Sequence, residues 1–276
     1  MTSRSPSPQR SGGKAKETSS PERTGKEQNA FTVLMSKKPK HLSKPSAPLQ
    51  KPSKIPRVFQ GRDALGAYIE KPESSPGVIY HTDDFVAITD LYPKSSLHIL
   101  LLPRDWSKSR LHPFEAFEDA EFLAKVQTET KKLQKIAASE LRRMYGKSSL
   151  SETARSEAMD ADPPPDELPP GRDWEKEIMC GVHAHPSMNH LHIHVLSKDR
   201  YSPCLKHRKH YNSFATPFFV PIDDLPLDPY DARRHPGREG YLQRDLKCWK
   251  CGSNFGNKFT ELKDHLRQEF EAWKRL

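Results

Sequence analysis

A chain of 276 residues with 25 prolines, 29% charged and only 34% hydrophobic side chains has room for one or two domains but leaves part of its length without a core. Four cysteines exclude a disulfide-stapled secreted module and fit a reducing compartment, and no apolar run reaches the length of a membrane span. Of the net charge of +9, residues 1–57 alone supply +10, from thirteen Lys or Arg against three Glu, so the remaining 219 residues sum to about −1 and the basic pI describes a tail.

That tail opens RSPSPQRSGGKAK, without the apolar stretch of a secretory signal, and its Ser5 and Ser7 each precede a proline, a setting for phosphorylation. NAFTVLM, residues 29–35, is an apolar island and a candidate docking segment. KKPK at 37–40 reads either as a nuclear-import patch or as a solvated run of charge. Residues 1–57 are expected to be a disordered basic tail.

Order is expected to begin near Ile55–Arg57. RDALGAYIEKP (62–72) predicts a short helix stopped before Pro72, VIYHTDDFVAITD (78–90) two β-rich runs about a turn at Thr82–Asp84, and SSLHILLLP (95–103) another strand. From Pro113 to Tyr145, Phe122, Val126, Leu133, Ile136, Leu141 and Met144 recur at helical spacing and predict one long amphipathic helix. Residues 147–173 are acidic, Pro-rich and aperiodic, which predicts a disordered surface insertion. Residues 174–199 then read as strand, turn at Pro186–Asn189, strand. Strand runs around one long helix imply an α+β fold with an antiparallel sheet. The boundaries expected are a folded domain over 58–215, a linker over 216–240 and a small C-terminal domain over 241–276.

Residues 183–197, HAHPSMNHLHIHVLS, hold five histidines in fifteen positions. On a strand, His190, His192 and His194 would share one face, with Leu191, Ile193 and Val195 packed behind. Three readings follow: a polar solvent face, a zinc site built from alternate imidazoles, or nucleophilic catalysis on phosphorus, in which a neutral imidazole attacks a phosphate ester while its neighbours orient it. Cys180 and Cys204, beside apolar neighbours, read as inert thiols.

Near the C-terminus, Cys248 and Cys251 are followed after thirteen residues by His265 and Glu269. A ββα finger needs two thiolates on a knuckle and two ligands one helical turn apart. His265 and Glu269, at i and i+4, meet that need, with Phe259, Leu262, Leu266 and Phe270 as a small core. A second histidine is the usual fourth ligand, but a carboxylate binds zinc too, so one structural zinc held by Cys₂HisGlu is expected, and the segment needs it to stay folded.

His190-Leu191-His192-Ile193-His194-Val195-Leu196 resembles the His-φ-His-φ-His-φ-φ signature of the histidine triad superfamily of nucleotide hydrolases and transferases. TDLYPKSSLHILLLP (89–103) resembles that superfamily's ribose-binding strand and turn. The resemblance spans about residues 60–215. It implies His192 as the nucleophile that becomes adenylylated, with His190 and His194 flanking it on the transferred phosphoryl group. It implies Asp90 on the ribose hydroxyls, Leu91 and Tyr92 beside the base, and His98 completing the imidazole cluster.

A triad domain followed by a zinc finger narrows the resemblance to the DNA 5′-adenylate hydrolases, with GVHAHPSMNHLHIHV, SPCLKHRKHYNSF (202–214) and LKCWKCG in agreement. The fungal members are expected to be the more similar, being the kind in which no forkhead-associated domain is expected before the triad. The resemblance implies removal of AMP from abortive ligation intermediates through adenylyl-His192, releasing a DNA 5′-phosphate, with zinc structural only. His183 would protonate the leaving phosphate and Ser187 would bind it, while Lys94 and Lys206 would lie near nucleotide or DNA phosphates. Adenylated ends and nicked duplex DNA are the partners implied, with AMP as product, a nuclear location, repair-protein contacts through the tail, and no membrane. Lys206, Arg208, Lys209 and His210 beside Tyr211 and Phe214, with Lys247, Lys250 and Lys258 on the finger, suit contact with backbone phosphates. The position of the family's end-stacking aromatic is Gly61 here, with Phe59 the nearest substitute. Rival readings are a general nucleotide hydrolase acting on AMP-amine or dinucleoside polyphosphate, and a non-catalytic DNA-binding protein.

Overall fold

The computed structural model describes residues 61–276. The expectations for the basic tail, including NAFTVLM and KKPK, and for Phe59 lie outside the described residues. The described residues all belong to one compact unit, and none of their helices is long and apolar enough to cross a membrane.

The chain enters through a single turn at Gly61–Asp63 and helix α1 (Gly66–Glu70), which stops before Pro72 as expected. Strands β1 (Val78–His81), β2 (Phe85–Thr89) and β3 (His98–Pro103) follow as an antiparallel meander. The long helix predicted from Pro113 is divided. A four-residue helix α2 (Pro113–Ala116) ends, and Asp119 then caps the 26-residue helix α3 (Ala120–Tyr145) by accepting from the Phe122 amide at 3.1 Å. Helix α3 buries Leu123, Val126, Leu133, Ala137 and Leu141 but leaves Ile136 and Met144 partly exposed, so its apolar stripe is narrower than the periodicity suggests.

Beyond α3 the insertion departs from expectation. Ser149 caps a helix α4 (Leu150–Asp160), and Glu152 on it is buried. Glu152 accepts from the Trp174 indole at 3.0 Å, the Arg172 amide at 3.1 Å and the Arg142 guanidinium at 3.0 Å. This helix is held by one buried, fully bonded carboxylate rather than by an apolar stripe, which is why hydrophobic periodicity misses it.

Strands β4 (Ile178–His183) and β5 (Ile193–Ser197), helix α5 (Arg208–Ala215) and strand β6 (Phe219–Pro221) complete the sheet, in the order β1-β2-β3-β5-β4-β6. The expected linker over 216–240 is thus corrected. It supplies the sixth strand, and Phe218, Val220, Ile222, Leu225 and Leu227 from it enter the main core. Gly181 on β4 permits this pairing, since a Cβ there would lie 2.3 Å from the Val220 carbonyl oxygen.

Packing divides by sheet face. Ala87, Ile99, Leu101, Leu191, Ile193 and Val195 pack with α3, while Val86, Ile88, Leu100 and Leu102 pack with Leu65, Tyr68 and Ile69 around α1. The final helices are α6 (Pro236–Glu239) and α7 (Phe259–Lys274). Phe270 and Trp273 of α7 belong to the main core, so the finger is joined to the triad domain rather than strung from it.

Candidate active site and metal centre

Strand β5 places Ile193 and Val195 on the α3 side of the sheet and His194 on the other, and just before it Leu191 enters the same core while His192 lies beside His194. Three of the catalytic candidates meet there with His98 of β3. His98 Nε2 and His194 Nδ1 are 2.9 Å apart, and the His183 and His192 rings lie 4.4 and 4.8 Å from that of His194. Phe214 of α5 closes the cluster at 4.6 Å from His183.

Hydrogen bonds fix which nitrogen of each ring carries the proton. The Lys94 amide can only donate, and it points at His98 Nδ1 from 3.2 Å, so that nitrogen holds the lone pair. His98 Nε2–H therefore donates to His194 Nδ1, leaving His194 Nε2–H unpaired among the described residues. His192 Nδ1–H donates to the His190 carbonyl at 2.7 Å, which leaves the lone pair of His192 on Nε2. Burial disfavours the imidazolium throughout. It brings His98 down to about 4, lowers His192, and takes His183 and His194 well below the ordinary value.

His190 does not join this cluster. Its ring lies against Trp106, centroids 6.3 Å apart, and its backbone carbonyl is what reaches His192. His190 and His192 both precede β5, and only His192 turns its ring to the cluster, so alternation read from sequence places one of the two.

Around the cluster, Asp90 accepts from the Tyr92 amide at 2.7 Å, and its other oxygen is 3.4 Å from His98 Nδ1. Leu91 and Tyr92 are exposed beside it, at 69% and 67%. Lys94 donates to the Tyr92 carbonyl, and burial lowers its pKa. Ser187 stands on the exposed β4–β5 connection, its carbonyl accepting from Arg62 Nε at 2.9 Å, and Lys206 is exposed at the approach to α5. Gly61 is exposed with φ +61 and offers no ring for base stacking.

A cavity of 980 Å³ opens beside His183 and Ser187. Its cations are Arg62, Lys209 and Arg238, its further imidazoles include His185 and His235, and among the described residues no Asp or Glu lines it. Of these, Arg62, His185, His235 and Arg238 are missed by sequence reasoning. The basic run ARRHPGRE (232–239) is the signal for the last two, and it is masked by assignment to a linker. A cavity of 1070 Å³ between α3 and the β4–β6 edge holds none of these histidines, and burial pushes the thiol of its Cys180 up to about 12.

At the finger, ligand atoms of Cys248, Cys251, His265 and Glu269 all lie within 4.8 Å of one another. A tetrahedral zinc with bonds of about 2.0–2.3 Å sets neighbouring donors about 3.3–3.8 Å apart. Here Cys251 Sγ is 3.2 Å from His265 Nε2, which is 3.4 Å from Glu269 Oε1. The Ser253 hydroxyl brings the Cys251 thiol down to about 7, whereas burial raises that of Cys248. The other oxygen of Glu269 accepts from Lys250 Nζ at 2.9 Å. Two thiols, an imidazole and a carboxylate at this spacing fit one structural zinc. Asp90, His98 and His194 also converge, and the His98–His194 hydrogen bond accounts for that closeness.

The HIT domain profile matches residues 71–201, and that of the C2HE / C2H2 / C2HC zinc-binding finger matches 215–272. Fold and site thus define a histidine triad protein with an integrated C2HE finger. The chain is 37% identical over 225 residues to the aprataxin-like protein of Schizosaccharomyces pombe, covering 79% of this chain and 87% of the relative. It is 38% identical over 219 residues to the aprataxin-like protein of Saccharomyces cerevisiae, covering 76% and 96%. The chain belongs to the aprataxin family. The crystal structure of the aprataxin ortholog Hnt3 in complex with DNA matches with a TM-score of 0.62 at 37% identity, over 77% of this chain and 96% of that one.

Proposed function

We propose that this protein is a DNA 5′-adenylate hydrolase that works through an adenylyl-histidine at His192. The observation that carries the reading is His192 itself, whose Nδ1–H is committed to the His190 carbonyl at 2.7 Å so that Nε2 keeps a lone pair. A neutral imidazole of fixed tautomer is a nucleophile at neutral pH.

His192 Nε2 attacks the phosphorus of AMP joined to a DNA 5′ end. The N–P bond forms, the P–O bond of the pyrophosphate linkage breaks, and the electron pair leaves on the DNA 5′-phosphate. Water then attacks the adenylyl group, the N–P bond breaks, and AMP departs with His192 restored. His194 Nε2–H donates to an oxygen of the transferred phosphoryl group. Burial holds His183 neutral in the free site. The negative charge of a bound pyrophosphate acts in the opposite direction, so His183 takes up the proton it passes to the leaving phosphate. Asp90 receives the ribose hydroxyls, Leu91 and Tyr92 border the base, and Lys94 stands beside the nucleotide.

The polynucleotide leaving group occupies the cavity of 980 Å³, where Arg62, Lys209 and Arg238 meet its phosphates and Ser187 the terminal one. Lys206 lies along the same approach. Zinc takes no part in bond breaking and serves the fold of the finger. The reading places the protein in the nucleus, with residues 1–57 available for repair-protein contacts.

Comparing AMP release from 5′-adenylated nicked duplex, AMP-lysine and diadenosine tetraphosphate tests the substrate class. Adenylated DNA is expected to give the highest kcat/KM. Preference for either small substrate would replace this reading with that of a general nucleotide hydrolase.

A further inference from the structure

The connection between β4 and β5 is nine residues long, His185 to Asn189 forming its outer part, and it carries Ser187 between His183, the last residue of β4, and His192, which precedes β5. Its inner ends are tied by backbone bonds, Ala184 N–H to the Phe218 carbonyl at 2.8 Å and Leu191 N–H to the Ser109 carbonyl at 2.7 Å. Its exposed tip is tied instead to the turn that precedes α1. Arg62 Nε donates to the Ser187 carbonyl at 2.9 Å, and Asn189 N–H donates to the Arg62 carbonyl at 2.9 Å. Asn189 Nδ2 donates to Asp63 Oδ1 at 3.0 Å, and Arg110 Nη2 reaches the same oxygen at 2.6 Å.

We propose that Asp63 is a positioning residue for the Ser187 turn, and hence for departure of the phosphate leaving group. This rests on the hydrolase reading above. Asp63 does not line the cavity beside His183 and Ser187. Arg110 anchors its carboxylate to the end of the β3–α2 connection, and the carboxylate in turn anchors Asn189, two residues from Ser187 and one from His190. Asn189 with Arg110 holds the Asp63 carboxyl below its usual range, as expected for an acceptor that stays ionised. The arrangement gives an exposed tip the fixed geometry that a leaving-group contact requires, and displacement of about 1 Å at such a contact costs on the order of a hundredfold in rate.

Because the leaving amine of AMP-lysine carries no phosphate, its cleavage does not use the Ser187 turn, whereas cleavage of adenylated DNA does. Asp63→Ala and Asn189→Ala are therefore compared with wild type on both substrates, with melting temperatures recorded. Each variant is expected to lose about tenfold to a hundredfold in kcat/KM on 5′-adenylated nicked duplex. The loss should fall mainly on kcat, with AMP-lysine turnover changed less than about threefold, and the double variant should be no worse than the poorer single one. Asp63→Asn keeps an acceptor for Asn189 and should recover part of the rate. A merely structural role predicts equal losses on both substrates together with a lowered melting temperature, and that outcome overturns the proposal, as does unchanged turnover of adenylated DNA. Wild-type enzyme that cleaves AMP-lysine but not adenylated DNA would instead overturn the hydrolase reading, and this inference with it.

Discussion

The guanidinium of Arg172 lies 4.5 Å from the ring centroid of Trp273, and its Nη1 donates to the Trp273 carbonyl at 2.8 Å. Trp174 stacks on the same guanidinium at 4.4 Å, and Glu177 joins both partners, 3.4 Å from Arg172 and 2.6 Å from the Trp273 indole nitrogen. This clasp fastens the last turn of the finger helix to the start of β4, the strand that ends on His183. Nearby, the Leu150 amide donates to the Arg275 carbonyl, so the insertion helix holds the same turn.

Arg172→Ala should therefore destabilise more than a surface substitution. It removes a desolvated cation from between two indoles and leaves Glu177 without that partner, which costs on the order of 2–4 kcal/mol. Calorimetry should show one unfolding transition in wild type and, in the variant, a lower midpoint with the finger transition separating from that of the sheet. A single transition at the wild-type midpoint would mean that the clasp contributes nothing.

Zinc removal should then be felt beyond the finger. Cys251→Ala should release the metal and lower the melting temperature of residues 61–276 as a whole, because Phe270 and Trp273 share the main core. Glu269→Ala should lose zinc less readily, since water can replace a carboxylate ligand. Metal analysis of the purified proteins checks the order. Wild-type zinc content in the Cys251 variant would contradict the assigned site.

Stability should also depend on pH through the imidazole cluster. Burial lowers His98 from 6.5 to about 4 and lowers His183, His192 and His194 as well. Between those values the unfolded chain binds protons that the folded chain does not, so stability is fully present above pH 6.5 and declines as pH falls toward 4. Urea titrations at pH 7.5 and 5.0 should show a lower midpoint at the lower pH, and His98→Asn should flatten the difference. Equal midpoints in wild type would show that these rings are not held neutral.

The alternation of residues 190–196 and the spacing of Cys248, Cys251, His265 and Glu269 carry most of the function in the sequence, since strand and helix periods dictate which side chains meet. His98 was legible only through resemblance, because nothing local pairs it with His194 across 96 positions. Long-range and low-periodicity features were not legible. Helix α4 depends on one buried glutamate, β6 is three residues long, and both sit in Pro-rich stretches that read as coil. Alternation does not place His190, because residues 190–192 precede the strand and the His190 ring turns to Trp106 while that of His192 stays with the cluster. The groove residues His235 and Arg238 come to the site only because β6 returns the chain to the sheet.

His192 is the residue expected to carry the adenylyl group. Enzyme mixed with 5′-adenylated nicked duplex, quenched during the first turnover and digested, should yield the peptide containing residues 190–197 with one added AMP moiety, and fragmentation should place it on His192. His192→Ala should yield no adduct and no AMP while keeping its fold. An adduct on His194, His190 or His183, or AMP release by the His192 variant, would contradict the account.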